Sequence, residues 1–336
     1  MAERWNHRHV KAELAWPMLP QRNGRIDWGT VRVAHLDTGY TEHEALGFDQ
    51  SGRSRIVLTN LGQDFYDDPG SGGRDLLTDG EFLFPGHGTR SGSALSGFEP
   101  TRPFKGIAPG LPLVPLRVAP GSLITRRVAR ALGRAIDHVV DQKLAKIVNI
   151  SLGFPLALDE GMGAAIDRAY DQGVLVVAAA GQVVDRVTYP GRHRRTICVA
   201  GIEKHRNGLD EYNPYETYSR IDAWAPANLV ERANYLPGDR YGEGDGTTYA
   251  TLHVTAAAAM WQRLKGREIN RLYGAKSWKR IEAFRALLRA SQRRLPFKSP
   301  RGNHAGKLDI FNLLSLPLPD PASLRYEDDL AEDDLV

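Results

Sequence analysis

The chain has 336 residues, of which 42% are hydrophobic and 25% are charged, and its formal net charge is +4. This hydrophobic content is sufficient for a folded core and excludes a largely disordered protein. Lys and Arg are scattered along the chain without a nucleic-acid recognition motif, so we do not expect a nucleic acid as the partner.

Cysteine usage and the first residues bear on the compartment in which the protein works. Cys198 is the only cysteine, so no intramolecular disulfide can form. The opening residues, MAERWNHRHVKAELAW, lack the apolar run of a secretion signal, and no stretch approaches the roughly 18 apolar residues that span a membrane. We therefore expect a cytoplasmic protein that does not enter a membrane.

Apolar runs that each end at a turn predict four strands in the first half of the chain. These runs are VRVAHLDTG (31–39), PLVPLRV (112–118), KIVNISLG (146–153) and GVLVVAAAG (173–181). Between the last three, apolar residues recur at i+3 and i+4 over 128–140 and 162–169, which predicts helices. Strands that alternate with helices predict a parallel sheet.

The second half of the chain continues with two predicted strands, RTICVAG (195–201) and RIDAWAP (220–226). A small-residue helix within 244–261 and another helix at about 277–291 follow them. Segments 50–86 and 203–246 are rich in Gly, Asp, Asn and Pro and predict long surface loops.

The domain organisation follows from these patterns. We find no internal repeat and no linker that splits the chain, so residues 28–315 are expected to form one domain. Residues 1–27 are predicted to be an N-terminal extension that packs on it. The last ten residues carry six carboxylates and no Lys or Arg, and we interpret 316–336 as a disordered acidic tail.

Polar residues lie at the predicted carboxyl ends of the strands, where the crevice of an open parallel sheet forms. Asp37 ends the first strand, and PGHGTRSGSALSG places His87 between two glycines just before a helix. Thr248 stands where a glycine-bounded turn meets the next small-residue helix. A carboxylate that orients an imidazole beside a hydroxyl is an arrangement for nucleophilic catalysis. We therefore predict that these three residues form a triad.

Three segments together, VAHLDTG, GHGT and DGTTYATLHV, resemble the Asp, His and Ser boxes of the subtilisin-like peptidases (subtilases), in that family's chain order. The resemblance covers roughly residues 28 to 265. It implies a three-layer α/β fold with a mostly parallel central sheet flanked by helices. It also implies an endopeptidase that needs a polypeptide substrate and no cofactor or metal.

The same resemblance assigns roles to individual residues. Asp37 would orient His87, which would act as the general base for the residue at 248. The side chain of Gln182 and the backbone N–H of residue 248 would form the oxyanion hole. The backbone of a polypeptide substrate would bind along the segments that contain Ser151, Leu152, Gly153 and Gly181.

Two departures from the family pattern fall on the chemistry itself. The family has serine where this chain has Thr248, and asparagine where it has Gln182. A β-branched side chain has fewer χ1 choices than serine, so Thr248 can attack only where the pocket admits its methyl group. Gln182 keeps the amide but extends it by one methylene, which either overshoots the oxyanion or compensates for a repositioned hydroxyl.

These departures leave alternatives open. The chain could be a silenced pseudopeptidase that serves as a peptide-binding or regulatory module, or a serine could have been replaced in the laboratory. No segment before Asp37 is long enough for a folded inhibitory prodomain, so control by low intrinsic activity, a restrictive cleft or a regulatory protein partner is expected. The loop SGFEPTRPFKG lacks the Asn-rich calcium-binding character of secreted relatives, and we expect no metal there.

Overall fold

A sheet of ten strands forms the centre of the computed structural model, which describes residues 4–67, 69–77, 84–99, 104–122, 124–156, 159–236, 241–300, 302 and 304–327. In chain order the strands of the described structure are β1 (Gln21–Arg22), β2 (Arg25–Ile26), β3 (Val33–Asp37), β4 (Gln63–Asp64), β5 (Leu113–Arg117), β6 (Ile147–Ile150), β7 (Leu175–Ala179), β8 (Ile197–His205), β9 (Gly208–Glu211), β10 (Ala223–Pro226), β11 (Val230–Ala233), β12 (Tyr241–Gly244), β13 (Arg293–Lys298) and β14 (His304–Lys307).

The helices of the described residues lie mainly between these strands. They are α1 (Trp5–His9), α2 (Ala12–Ala15), α3 (His87–Ser96), α4 (Arg126–Asp141), α5 (Met162–Asp171), α6 (Thr247–Tyr273), α7 (Lys279–Ser291) and α8 (Ile310–Ser315). None of the helices in the described part of the chain combines the length and apolar character that crossing a membrane requires.

The order of strands in the main sheet is β13-β14-β10-β8-β7-β6-β3-β5-β4, with β9 paired to β8. All neighbours from β10 to β4 in this order are parallel, whereas β13 and β9 each pair antiparallel with their neighbours. The prediction of a mostly parallel central sheet is therefore confirmed. Because β3, β6 and β7 are parallel neighbours, their carboxyl ends meet at one edge of the sheet.

Helices cover both faces of the sheet, because successive side chains of a buried strand point in opposite directions. On one face, Ala34 and Leu36 of β3 join the apolar core formed with α4 and α5. On the other, Val33 joins the core formed with α6. His35 and Asp37 share the face of Val33, so the alternation directs these two polar residues toward α3 and α6.

The predicted loops at 50–86 and 203–246 contain short strands. β4 lies in the first loop, and β9, β11 and β12 lie in the second. These strands have two to four residues and are partly exposed, so they carry no periodic apolar signal. β8 also runs to His205, beyond the predicted end at 201, because β9 folds back on it.

Both ends of the described chain pack on the domain. Trp5 donates from Nε1 to the carbonyl of Asn228 over 3.0 Å. At the other end, Tyr326 packs edge-on against Trp278, and the Glu327 N–H donates to the Tyr170 hydroxyl over 3.0 Å. Packing thus extends past the boundary predicted at residue 315, because Tyr326 and the core-packed leucines Leu316, Leu318 and Leu324 follow it. The acidic residues 328–336 lie outside the described residues.

Buried histidines lie where the N-terminal segment meets α6. His253 accepts at Nε2 from the Asn6 side-chain amide over 3.2 Å and donates from Nδ1 to the Tyr249 carbonyl over 2.7 Å. Burial lowers the pKa of His253 to about 4 and, with nearby lysines, that of His9 to about 3. Both imidazoles are therefore neutral in the folded protein near pH 7.

We expect the free energy of unfolding to fall as the pH drops below about 6.5, where histidines of the unfolded chain take up protons. Each buried histidine contributes a slope of about 1.4 kcal/mol per pH unit down to its folded pKa, and no slope above about pH 6.5. Urea unfolding measured from pH 5 to 8 tests this. His253→Gln should reduce the slope, whereas the exposed control His205→Gln should leave it unchanged; equal slopes in both variants would contradict the assignment.

Candidate active site

Glycines allow the end of β3 and the start of α3 to approach closely. Gly39, in the turn after Asp37, has a φ of +105°, a conformation that favours glycine. A Cβ on Gly88 would lie 2.0 Å from the carbonyl oxygen of Gly39, a separation that a larger residue could not adopt. This contact brings His87, the first residue of α3, beside Asp37.

The structure brings the side chains of Asp37, His87 and Thr248 together. Nδ1 of His87 lies 2.7 Å from Oδ1 of Asp37, and its Nε2 lies 3.2 Å from Oγ1 of Thr248. The His87 side chain is 12% exposed, so solvent or a ligand can reach this group from one side. The three side chains form one continuous hydrogen-bonded row.

Asp37 is ionised despite its complete burial. Burial by itself would raise the pKa of this carboxyl, but the electrostatic interaction and the hydrogen bond with His87, with smaller contributions from His35 and the Thr38 N–H, hold the pKa below its usual value. A carboxylate at Oδ1 requires a proton on Nδ1 of His87. Nε2 is then free to accept the proton of a hydroxyl.

Thr248 is the second residue of α6, and its side chain is half-buried. Its hydroxyl has a second acceptor, because the Ser151 carbonyl oxygen also lies 3.2 Å from Oγ1. A hydroxyl has one hydrogen and donates fully to only one of the two acceptors. The N–H of residue 248 belongs to the first turn of α6, where backbone donors have no partner within the helix.

Gln182 follows β7 and caps the start of α6. Its Oε1 accepts a hydrogen bond from the Thr247 N–H over 2.7 Å. That contact identifies Oε1 as the acceptor, so the Nε2 group keeps its capacity to donate. A Cβ on Gly246 would lie 2.8 Å from Oε1, and the φ of Gly246 is +137°. The longer side chain therefore depends on glycine at 246.

The predicted substrate-backbone segments lie at adjacent strand ends, after β6 and β7. Ser151 contributes the carbonyl that faces Thr248, and Leu152 is buried. Gly153 and Gly181 both contact Thr188: a Cβ on Gly153 would lie 2.6 Å from its Oγ1, and one on Gly181 would lie 2.4 Å from its Cγ2. Thr188 thus fits against both glycines and holds the two segments side by side.

Residues outside the predicted triad, oxyanion hole and substrate-backbone segments also touch the site. Asp75 accepts from the Thr38 hydroxyl over 2.6 Å and from the Gly86 N–H over 3.1 Å, so it joins the turn after β3 to the start of α3. Ser91 and His35 contact Asp37. In the sequence, the one pattern that could have indicated these contacts is His35, a polar residue two positions before Asp37 and therefore on the same face of the strand.

The described residues contain no group of three or more His, Cys, Asp or Glu side chains that could hold a metal ion. The loop predicted to lack calcium-binding character is described only in part, since residues 100–103 lie outside the described residues.

Comparisons with known proteins agree with this architecture. The sequence model of the subtilase family, peptidase S8, matches residues 30–297. The major intracellular serine protease of Bacillus subtilis (strain 168) is 30% identical over 237 residues, 68% of this chain and 67% of that protein. Subtilisin Savinase of Lederbergia lenta is 29% identical over 259 residues, 76% of this chain and 82% of that protein.

Solved structures share the fold. MycP1 from Mycobacterium smegmatis has a TM-score of 0.67 at 18% sequence identity, with 98% of this chain and 89% of that one covered. Fervidolysin from Fervidobacterium pennivorans has a TM-score of 0.66 at 18% identity, with 93% of this chain and 46% of that one covered. With the family match spanning most of the domain, the chain belongs to the subtilase family of S8 peptidases.

Proposed function

We propose that this protein is an endopeptidase that hydrolyses peptide bonds with Asp37, His87 and Thr248 as its catalytic triad. The observation that carries the proposal is the pair of distances at His87, 2.7 Å from Nδ1 to Asp37 and 3.2 Å from Nε2 to Thr248. Threonine at this position retains the hydroxyl that the reaction requires. The serine peptidases of the family and the relatives named above support the reaction type.

The reaction begins when the Thr248 hydroxyl turns from the Ser151 carbonyl to His87. Oγ1 attacks the carbonyl carbon of the scissile peptide while Nε2 of His87 takes the hydroxyl proton. The tetrahedral intermediate collapses as His87 gives that proton to the leaving amine, and an acyl ester remains on Thr248. A water molecule, deprotonated by His87, then hydrolyses the ester.

Two donors are proposed for the oxyanion of the intermediate. The N–H of residue 248 is one, because backbone donors in the first turn of a helix favour negative charge. The Nε2 group of Gln182 is the other, since its Oε1 is held by the Thr247 N–H. The additional methylene allows Gln182 to cap α6 and donate to the oxyanion with the same amide.

The substrate is proposed to be an extended polypeptide. Strand ends at Ser151 to Gly153 and at Gly181 offer backbone groups to a peptide, as in other cases of strand addition. We also propose that the protein works in the cytoplasm, supported by its single, fully buried cysteine and by two relatives named as intracellular serine proteases. A regulatory protein partner is a further expectation.

A second candidate function is supported by one contact. The Thr248 hydroxyl lies as close to the Ser151 carbonyl as to His87, 3.2 Å in each case. If the methyl group holds the hydroxyl on Ser151, the cleft binds peptides without cleaving them. The protein would then be a peptide-binding module.

Labelling with a fluorophosphonate discriminates between these functions. We expect a stoichiometric adduct at Thr248, because His87 takes the hydroxyl proton as the O–P bond forms and fluoride leaves. Intact mass and peptide mapping measure the adduct. Thr248→Ala and His87→Ala should abolish it, and Thr248→Ser should form it faster.

The variant Thr248→Ser is the matched control for the methyl group. An adduct on this variant combined with none on the unchanged protein would overturn the threonine nucleophile and favour the peptide-binding module. Peptide binding by Thr248→Ala, measured by fluorescence anisotropy, should persist under either function.

Variants of Gln182 test the proposed oxyanion donor. Gln182→Glu keeps an acceptor for the Thr247 N–H but removes the donor, so we expect the labelling rate to fall by roughly 10²–10³-fold, the loss known for the corresponding donor of a subtilisin. A carboxylate near the N-terminus of α6 stabilises the helix. If Gln182 only caps α6, Gln182→Glu should instead retain the full rate, and thermal unfolding monitored in parallel would detect a folding defect.

A further inference from the structure

A second histidine lies in the protein interior beside the proposed triad. His35 and Asp37 are two residues apart on β3 and share a face of the strand. Asp37 is fully buried and His35 is 5% exposed. In the strand register, His35 pairs with Asn149 of β6. Buried polar groups of this kind require hydrogen-bond partners.

Each oxygen of the Asp37 carboxylate has its own partners. Oδ1 accepts from Nδ1 of His87 and from the Thr38 N–H, both over 2.7 Å. Oδ2 faces Ser91, whose hydroxyl lies 3.2 Å away, and Nε2 of His35, which lies 3.7 Å away. The orientation of the carboxylate toward His87 therefore depends on the groups at Oδ2.

The hydrogen bonds around His35 have a defined direction. The Thr255 hydroxyl donates to Oδ1 of Asn149 over 2.8 Å, so the Asn149 amide presents its NH₂ group to Nδ1 of His35, 3.2 Å away. Nδ1 is then an acceptor and Nε2 carries the proton. Nε2 lies 3.0 Å from the Ser91 hydroxyl. Burial lowers the pKa of His35, which keeps the ring neutral.

Donation from His35 orients the Ser91 hydroxyl. With a lone pair of Oγ occupied by His35, the hydroxyl hydrogen must point to one of the other acceptors, which are Oδ2 of Asp37 at 3.2 Å, the His87 carbonyl at 2.8 Å and the Gly88 carbonyl at 3.3 Å. The carboxylate is the stronger acceptor because it is charged. Asn149, His35 and Ser91 thus form a row of donors that ends at Asp37.

We propose that neutral His35, protonated at Nε2, is a positioning residue that acts through Ser91 to hold the Asp37 carboxylate in place for His87. Its part in catalysis rests on the proposed peptidase function. Donors at Oδ2 also reduce the proton affinity of the Asp37–His87 pair, because they offset part of the negative charge of Asp37 and so weaken its attraction for a proton on His87. The pair therefore takes up its proton at a lower pH than it would without His35.

The other groups near His35 simplify the interpretation of a pH titration. Asp37 on its own strand and His87 on α3 are the charged or titratable side chains that act on it. The side chains that it meets from β6 and α3, Asn149 and Ser91, carry no charge, and neither does Thr255 on α6. Asp75, the carboxyl that accepts from Thr38 and Gly86, is unchanged in every variant, so a difference between variants in the titration of the pair is attributable to His35 and Ser91.

A matched pair of substitutions separates the two sides of the His35 ring. His35→Asn keeps an acceptor for Asn149 but has no atom that reaches Ser91. His35→Gln places an amide N–H near the position of Nε2 and keeps the donor to Ser91. Both replacements are neutral and polar. Ser91→Ala removes the hydroxyl at Oδ2 and provides an independent test if His35→Asn does not fold.

NMR of protein with ¹⁵N-labelled histidine reports which ring nitrogens carry protons, and it therefore tests the proposal without requiring catalytic activity. In the unchanged protein, we expect His35 to show a protonated Nε2 and a bare Nδ1 from pH 5 to 8. In His35→Asn and Ser91→Ala, the pH at which the Asp37–His87 pair takes up its proton should rise by about 0.5 to 1 unit. In His35→Gln it should remain near that of the unchanged protein.

Labelling rates as a function of pH provide the catalytic measurement, in the unchanged protein and in Thr248→Ser. In His35→Asn and Ser91→Ala, the acid limb of the curve of labelling rate against pH should move to higher pH. The maximal labelling rate on the plateau of that curve should fall roughly tenfold, as expected for a lost hydrogen bond to a charged group. A charged His35, a proton on Nδ1, or equal titrations in the Asn and Gln variants would overturn the proposal. If His35 only fills space, His35→Asn and His35→Gln should lose equal stability, and the pH midpoint for protonation of the Asp37–His87 pair should stay unchanged in both.

The two proposals fail in distinguishable ways. If neither the unchanged protein nor Thr248→Ser is labelled but the NMR midpoints shift as expected, the peptidase function fails and the positioning of Asp37 stands. If labelling proceeds with the same acid limb in every His35 and Ser91 variant, the peptidase function stands and the role of His35 fails.

Discussion

The Asp37 carboxylate is charged and fully buried, and the surrounding residues supply the hydrogen-bond donors that a buried charge requires. An ionised carboxylate without donors in the interior would cost far more free energy than the fold can supply, so it must be surrounded by hydrogen-bond donors. Those donors come from α3, from the turn after β3 and from Ser91. The glycines at 39 and 88 permit the close approach of strand and helix that this arrangement requires.

Thr248 and Gln182, the two positions at which the resemblance predicts a departure from the family pattern, lie together at the N-terminus of α6. Gln182 accepts from the N–H of Thr247, the residue directly before Thr248. The glutamine is therefore in contact with the backbone that orients the threonine, although the two residues are 66 positions apart in the sequence. Gly246 makes room for the glutamine amide. A substitution at either position changes the surroundings of the other, which is the physical basis for treating them as one coupled change.

The same helix connects the site to the N-terminal segment. Asn6 and the Trp5 side chain bind residues on and beside α6, and His253 lies about one and a half turns after Thr248. Small buried residues along α6 allow it to pass close to the sheet. The Thr248 hydroxyl, the first-turn N–H and the contact with the N-terminal segment therefore all belong to one helix.

The sequence by itself determined the alternation of strands and helices and the parallel sheet, and it placed Asp37, His87 and Thr248 at the ends of their elements, because apolar periodicity and glycine-bounded motifs are local signals. The tertiary structure decided the rest. Whether Thr248 faces His87 or Ser151, and which end of the Gln182 amide faces α6, depends on distances between distant segments. His35 and Ser91 are not distinguished by sequence, since nothing in their own neighbourhoods shows that both meet Oδ2 of Asp37. Contacts of this kind arise only when β3, β6, α3 and α6 pack together, which no pattern within one segment encodes.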